Sequence, residues 1–187
     1  KALEAGVDGL ILVCAGAGGH AGTLSPFALI GEVRRFFDGP VVLSGAIASG
    51  DAILAAQAAG ADLAYIGTRF IATPEANVHD NYKQAVLAAD VGDTTLVGRG
   101  GLPIRQLKNA FSREYEAAVL SGKGKDELER IYKSSSLKQA ALDGDVERGK
   151  VEAGQSAGLV DDILPAAAVM RRLVAGIREG RRRLARL

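Results

Sequence analysis

Apolar residues fall into three short continuous runs, Gly9 to Val13, Val41 to Ser44 and Leu63 to Ile66. Such runs are the pattern of strands buried on both faces. Between them the period changes. Phe27 to Phe37 and Asp51 to Ala59 carry apolar residues at helical spacing. Ser25-Pro26 and Ser49-Gly50-Asp51 are their natural starts, because Pro tolerates the first helical turn and Ser or Asp accept from its free N–H groups. Pro40 precedes the second run, at a strand start where no N–H is needed. The first and third runs share a preface: Ala2-Leu3-Glu4-Ala5-Gly6-Val7-Asp8 matches Ala56-Gln57-Ala58-Ala59-Gly60-Ala61-Asp62. The unit is helix, Gly stop, short connection, buried strand. Repeated along a chain, it predicts a parallel sheet with crossover helices. The opening residues then read as the last turn of a helix. A lone turn cannot nucleate itself, so we expect the later part of a longer protein.

After Thr68 the texture changes. Residues 79 to 150 are mostly polar and helix-favouring, with one β-like piece at Thr94 to Val97. Leu107 to Leu120 and Glu127 to Leu142 read as amphipathic helices, and the stretch as an inserted, mainly helical lobe. Ile163 to Leu187 reads as a closing helix. Its Arg181-Arg182-Arg183 run is expected to be a solvated face, with cations favourable at a helix C-terminus.

Composition narrows the class. The 187 residues are 48% apolar and 24% charged, which excludes a disordered chain. A net charge of +1 supplies no field for nucleic acid. No apolar run is long enough to span a bilayer, so no membrane is expected. The single Cys cannot form an internal disulfide, and a reducing, cytoplasmic setting follows as the expectation. Cys14 reads as a buried thiol. No Cys/His cluster has zinc spacing, and neither a Walker A motif nor a nucleophile elbow is present.

Glycine is the excess residue, at 24 of 187, and its clusters follow the predicted strands. In parallel α/β folds ligands bind at that end of the sheet. The first loop is Ala15-Gly16-Ala17-Gly18-Gly19-His20-Ala21-Gly22. Its glycines admit a close ligand, and His20 suits proton transfer near neutrality. The alternative is a turn with an incidental His. The second loop is Ser44-Gly45-Ala46-Ile47-Ala48-Ser49-Gly50 and the third Ile66-Gly67-Thr68-Arg69. Each leads from a strand into a helix, where exposed N–H groups form an anion site; plain tight turns are the other reading. A fourth segment, Ala153-Gly154-Gln155-Ser156-Ala157-Gly158, leaves packing and cofactor contact equally open. His79 reads as a polar helix-start residue.

These motifs resemble one family in order and spacing. Ala17-Gly18-Gly19-His20-Ala21-Gly22 resembles the AGGHxG motif of nitronate monooxygenases, also called 2-nitropropane dioxygenases. Ser44-Gly45-Ala46-Ile47-Ala48 is similar to their SGGIA-type loop, and Gly60-Ala61-Asp62 with Gly67-Thr68-Arg69-Phe70 to their GADxxxxGTRF segment. The same superfamily contains the FMN-dependent enoyl-acyl-carrier-protein reductases, which Asn77 to Lys83 and Gly154-Gln155 particularly resemble.

The resemblance implies an α/β fold, a (β/α)8 TIM barrel of which this chain supplies about the last three strands. Residues 1–78 and 152–187 would belong to the FMN-binding barrel and 79–151 to the inserted lobe. By position, Gly45, Ala46, Gly67 and Thr68 would hold the FMN phosphate, with Ser44 and Gln155 also at the cofactor. Gly18, Gly19 and His20 would lie near the ring, with His20 as catalytic acid/base. Ala46 stands where the family often has a second Gly, so a left-handed backbone is not expected there. Gly16 stands where several relatives carry Glu.

The implied reaction is oxidation of alkyl nitronates with O2 to a carbonyl compound and nitrite. The alternative is an NAD(P)H-driven reductase acting on an enoyl thioester or a quinone. A third, non-redox reading is a phosphate-ligand binding module or a phosphosugar isomerase. The expected partners are a small-molecule substrate, the N-terminal part of the same barrel and a second copy in a homodimer.

Overall fold

The computed structural model describes residues 1–98 and 101–186. A single 3-10 turn, Leu3–Ala5, ends on Gly6 in the left-handed conformation (φ 71°), as the helix-stop reading of Gly6 requires. Strands β1 (Leu10–Val13), β3 (Val41–Ser44) and β4 (Leu63–Tyr65) form a parallel sheet in the order β1-β3-β4. The crossovers are α1 (Pro26–Arg34) and α2 (Gly50–Ala58). Ser49 caps α2, its hydroxyl accepting from Ala52 N at 3.1 Å.

Arg34 and Asp62 lock the register of these units. Arg34 donates to Gly60 O (2.8 Å), Gly39 O (2.7 Å) and Asp62 Oδ2 (2.7 Å), and that same carboxylate oxygen accepts from Val41 N (2.8 Å). The part-buried Arg34 thus ties the end of α1 to the starts of β3 and β4. Leu12, Val41, Leu43 and Ile47 pack with Ile30, Val33 and Ala56 in the core of this layer. The closing helix α8 (Ala166–Leu184) lies along α2, where Gly50 meets Gly176 at close range. The expected end of that helix at Leu187 lies outside the described residues.

Residues 79–151 differ from the expectation at two places. The stretch holds α4 (Asp80–Leu87), β5 (Thr94–Val97), β6 (Ile104–Leu107), α5 (Ala110–Leu120), α6 (Lys125–Lys133) and α7 (Leu137–Ala141). The helix expected from Leu107 starts at Ala110, because Asn109 and Ser112 form a capping box, and Leu107 ends a strand instead. The helix expected over Glu127 to Leu142 is two helices. Ser134, Ser135 and Ser136 break it: Ser134 and Ser135 donate to Ile131 O and Arg148 O, and Ser136 caps α7.

The second sheet is antiparallel, in the order β2-β6-β5. Its edge strand β2 is Gly19–His20 itself, with Gly19 opposite Arg105 and His20 opposite Ile104. The histidine loop therefore leaves the parallel sheet and joins the second one, which α5 and α6 cover through Phe111, Tyr115 and Ile131.

Candidate functional site

A cavity of about 270 Å³ lies at the carboxyl ends of the parallel strands. Gly18, Gly19, Ser44, Gly45, Ala46, Gly67 and Thr68, all expected site residues, line it together. The order β1-β3-β4 brings their three loops side by side, because each loop leaves the same end of adjacent parallel strands.

The second loop is shaped for close approach. Gly45 has φ 133° and Ala46 φ 55°. The expectation that Ala46 would avoid the left-handed region is thus corrected. The turn imposes the conformation, and a residue with a Cβ carries it at about 1 kcal/mol. Gly67 is different: a Cβ there would meet nothing within 4 Å. Packing does not require Gly67, and its bare surface opens on the cavity. Thr68 is buried, and its Oγ1 accepts from Gly154 N at 2.9 Å. What Thr68 offers an anion is its main-chain N–H at the start of α3 (Thr68–Ile71), unpaired within the helix. Glycines that leave space and free N–H groups on two neighbouring turns fit a phosphate-bearing cofactor.

Arg69 does not join this wall. Its guanidinium is buried and donates to Asp162 Oδ1 (2.6 Å) and Asp162 O (3.2 Å), tying the third loop to the segment before α8.

The fourth glycine segment closes the cavity from the other side. Gln155 N donates to Gly16 O at 2.9 Å, and a Cβ on Gly18 would collide with Ala153 and Gly154. Close backbone packing explains these small residues. Gln155 rests its side chain against Gly16, while its neighbours Gly154 and Ser156 line the cavity.

His20 is exposed and lines a second, larger cavity of about 630 Å³, with Gly98, Leu102, Tyr115, Leu128 and Tyr132 among its walls. Strand alternation accounts for the split: Gly19 faces the first cavity and His20 lies beside the second. His79 is the N-cap of α4, its Nδ1 accepting from Asn81 N at 3.1 Å. Cys14 is fully buried and burial pushes its thiol up, so it serves packing. Arg182 and Arg183 pair with Glu179 and Asp51, as a solvated helix end does. Among the described residues no group of His, Cys, Asp and Glu could hold a metal ion, and no helix is long and apolar enough to cross a membrane.

Among the wall residues that escaped the sequence reading, two stand out. Tyr82 and Glu152 line the first cavity, the Tyr82 hydroxyl donating to Glu152 O at 2.8 Å. Burial is the main cause that holds the Tyr82 hydroxyl well above the usual phenol range and raises the Glu152 carboxyl, whose rise His20 and Lys150 oppose. The signal for Glu152 was its place one residue before the Ala153-Gly154 turn, but nothing local tells which way its side chain points.

A Nitronate monooxygenase family profile matches residues 1–176. A curated nitronate monooxygenase from Pseudomonas aeruginosa is 31% identical over 186 residues, covering 93% of this chain and 52% of that protein. The structure of FabK from Thermotoga maritima superposes with a TM-score of 0.91 at 34% identity, over 98% of this chain and 58% of the other. A nitroalkane oxidase from Streptomyces ansochromogenes gives 0.79 at 32%, over 98% and 55%. The chain spans about half the length of these relatives. With its three glycine loops meeting on one cavity and residues 1–176 matched by the family profile, the chain belongs to the nitronate monooxygenase family.

Proposed function

We propose that this chain is the catalytic-loop half of an FMN-dependent oxidoreductase that oxidises alkyl nitronates with O2 to a carbonyl compound and nitrite. The observation that carries the reading is the cavity joining Gly18-Gly19, Gly45-Ala46 and Gly67-Thr68, with His20 on the next residue. In it, main-chain N–H groups of Gly45, Ala46, Gly67 and Thr68 bind the phosphate end. Gly18 and Gly19 leave the flat approach that a ring needs. The flavin, when bound, supplies the electron chemistry. His20 holds or removes a proton on the substrate from the adjoining cavity, its strand pairing with β6 fixing where the imidazole starts.

The barrel reading explains a feature that packing within the chain does not. Ile11, Val13, Leu63 and Tyr65 form an exposed apolar sheet face. In a (β/α)8 barrel that face is the interior, closed by strands from the N-terminal part of the same protein. Residues 1–78 with 152–187 then supply the barrel, and 79–151 the lobe over its mouth.

The experiment is the visible spectrum of the full-length protein, held anaerobic, before and after propyl-2-nitronate. Bleaching of a flavin band near ~450 nm supports electron transfer from nitronate to cofactor. A colourless protein defeats the flavin reading. His20→Ala turning over nitronate at the unsubstituted rate defeats the role given to His20.

The second cavity favours one other reading. At about 630 Å³, with Leu102, Leu128 and two tyrosines in its walls, it has room for a substrate far larger than a small nitronate. That suits an enoyl thioester or a quinone reduced at the expense of NAD(P)H. Flavin bleaching by NADH and not by nitronate selects it.

A further inference from the structure

Glu152 is a charged group in the cofactor cavity that the reading above leaves without a task. Its main chain is clamped on both sides. Val151 O accepts from Leu107 N (2.9 Å), Glu152 O from the Tyr82 hydroxyl (2.8 Å), and Gly154 N donates to Thr68 Oγ1 (2.9 Å). The side chain is thereby delivered to the wall beside Gly18 and Gly19. The fit is close: a Cβ on Gly19 would stand 2.8 Å from Glu152 Oε2. Gly19 also has φ 68°, so the backbone favours glycine there, and the space beside its Cα is occupied by this carboxylate.

No cation neutralises it at short range among the described residues. Lys150, two residues earlier, turns its ammonium onto the Tyr132 ring, 3.4 Å from the centroid, with Phe111 at 5.8 Å. The titratable groups around Glu152 are His20 on β2, Lys150 on its own segment, Tyr82 on α4 and Tyr132 on α6. Of these, His20 and Lys150 favour the ionised carboxylate, and burial opposes it.

We propose that Glu152 sets the reduction potential of the flavin held in this cavity, its carboxylate standing at the ring end bordered by Gly18 and Gly19. The inference rests on the flavin reading above. Reduction adds electrons to the ring. An ionised carboxylate alongside, poorly screened in a half-buried wall, opposes that added charge and lowers the potential. A protonated carboxyl carries no charge and can donate a hydrogen bond to the ring, which favours reduction. The potential therefore steps down as pH rises through the titration of Glu152.

The test is the equilibrium potential of the full-length, flavin-loaded protein against a reference dye, from acidic to neutral pH. Glu152→Gln keeps the shape and removes the charge. At neutral pH it is expected to raise the reduced-to-oxidised ratio at fixed poise at least tenfold, about 30 mV for a two-electron couple. The gap should close as pH falls. A ratio within threefold of the unsubstituted protein, or a gap that ignores pH, overturns the proposal. The unsubstituted protein alone gives a second reading that needs no variant: its potential–pH curve should bend above the ordinary carboxylate range, and a curve without that bend overturns the proposal. These failures leave the flavin reading standing, whereas a full-length protein that binds no flavin defeats both.

Discussion

The two sheets of this chain bury their residues differently. In the antiparallel sheet, Ile104 is 1% exposed and Phe111, which covers it, 0%. In the parallel sheet one face is as well covered, by α1 and α2, yet on the other Ile11 is 58% exposed, Leu63 62% and Tyr65 60%. The antiparallel sheet finds apolar partners for its strands within these residues. Among the described residues the parallel sheet finds them for one face only, and leaves the outer edges of β1 and β4 unpaired. A bare apolar face with open edges is surface that more strands would cover.

The largest expected effect breaks the buried side of that contrast. Phe111→Ala should cost about 4 kcal/mol in denaturant unfolding of the full-length protein, because nothing around a fully buried ring can collapse into its place. The bare face gives the sharper comparison. Leu63→Ala should change the stability of the isolated 187 residues by less than ~0.5 kcal/mol. The same substitution should cost about 2 kcal/mol in the full-length protein, where the barrel reading buries it. Equal small losses in both would remove the argument for a barrel interior. On the same ground the isolated chain should be poorly soluble and flavin-free, which gel filtration and an absorbance spectrum check.

Smaller effects test the joints between the regions. Arg69→Met removes three hydrogen bonds to Ala72 and Asp162 from a buried guanidinium, and should cost about 2 kcal/mol in thermal or denaturant unfolding. Ala46→Gly relieves about 1 kcal/mol of left-handed strain and loses about 0.5 in chain entropy, a net gain of about 0.5 kcal/mol.

Two carboxylates give opposite pH dependences. The Val41 N–H and Arg34 hold Asp62 below the usual carboxylate range, so its contribution is present above that range and is lost as pH falls through the folded value. Glu152 is held above it chiefly by burial, so its neutral form is favoured, and stability falls as pH rises through its raised value. Asp62→Asn should flatten the acid limb of stability against pH, and Glu152→Gln the limb above it.

Much of the parallel sheet was legible in the sequence because its signals are local. Apolar runs, the glycine that stops a helix and the serine that starts one act on their near neighbours. The loops at strand ends were legible for the same reason, and Gly18, Gly45 and Gly67 do meet on one cavity. What stayed hidden depended on distant partners. Leu107 reads as a helix start until β6 pairs with β5, which puts it opposite Thr94. Ala46 takes a conformation that its own side chain disfavours, since the turn around it decides. His20 stands one residue from the cavity wall, yet its strand pairing sends it to the neighbouring cavity.

Sequence by itself determined the βαβ units, the glycine loops and the family, because each is written in residues close together along the chain. Tertiary structure alone decided that Glu152 faces Gly19 and that His20 serves a second cavity. Those placements depend on clamps between residues far apart in sequence, such as Tyr82 on Glu152 and Thr68 on Gly154, which exist only once the layers have packed.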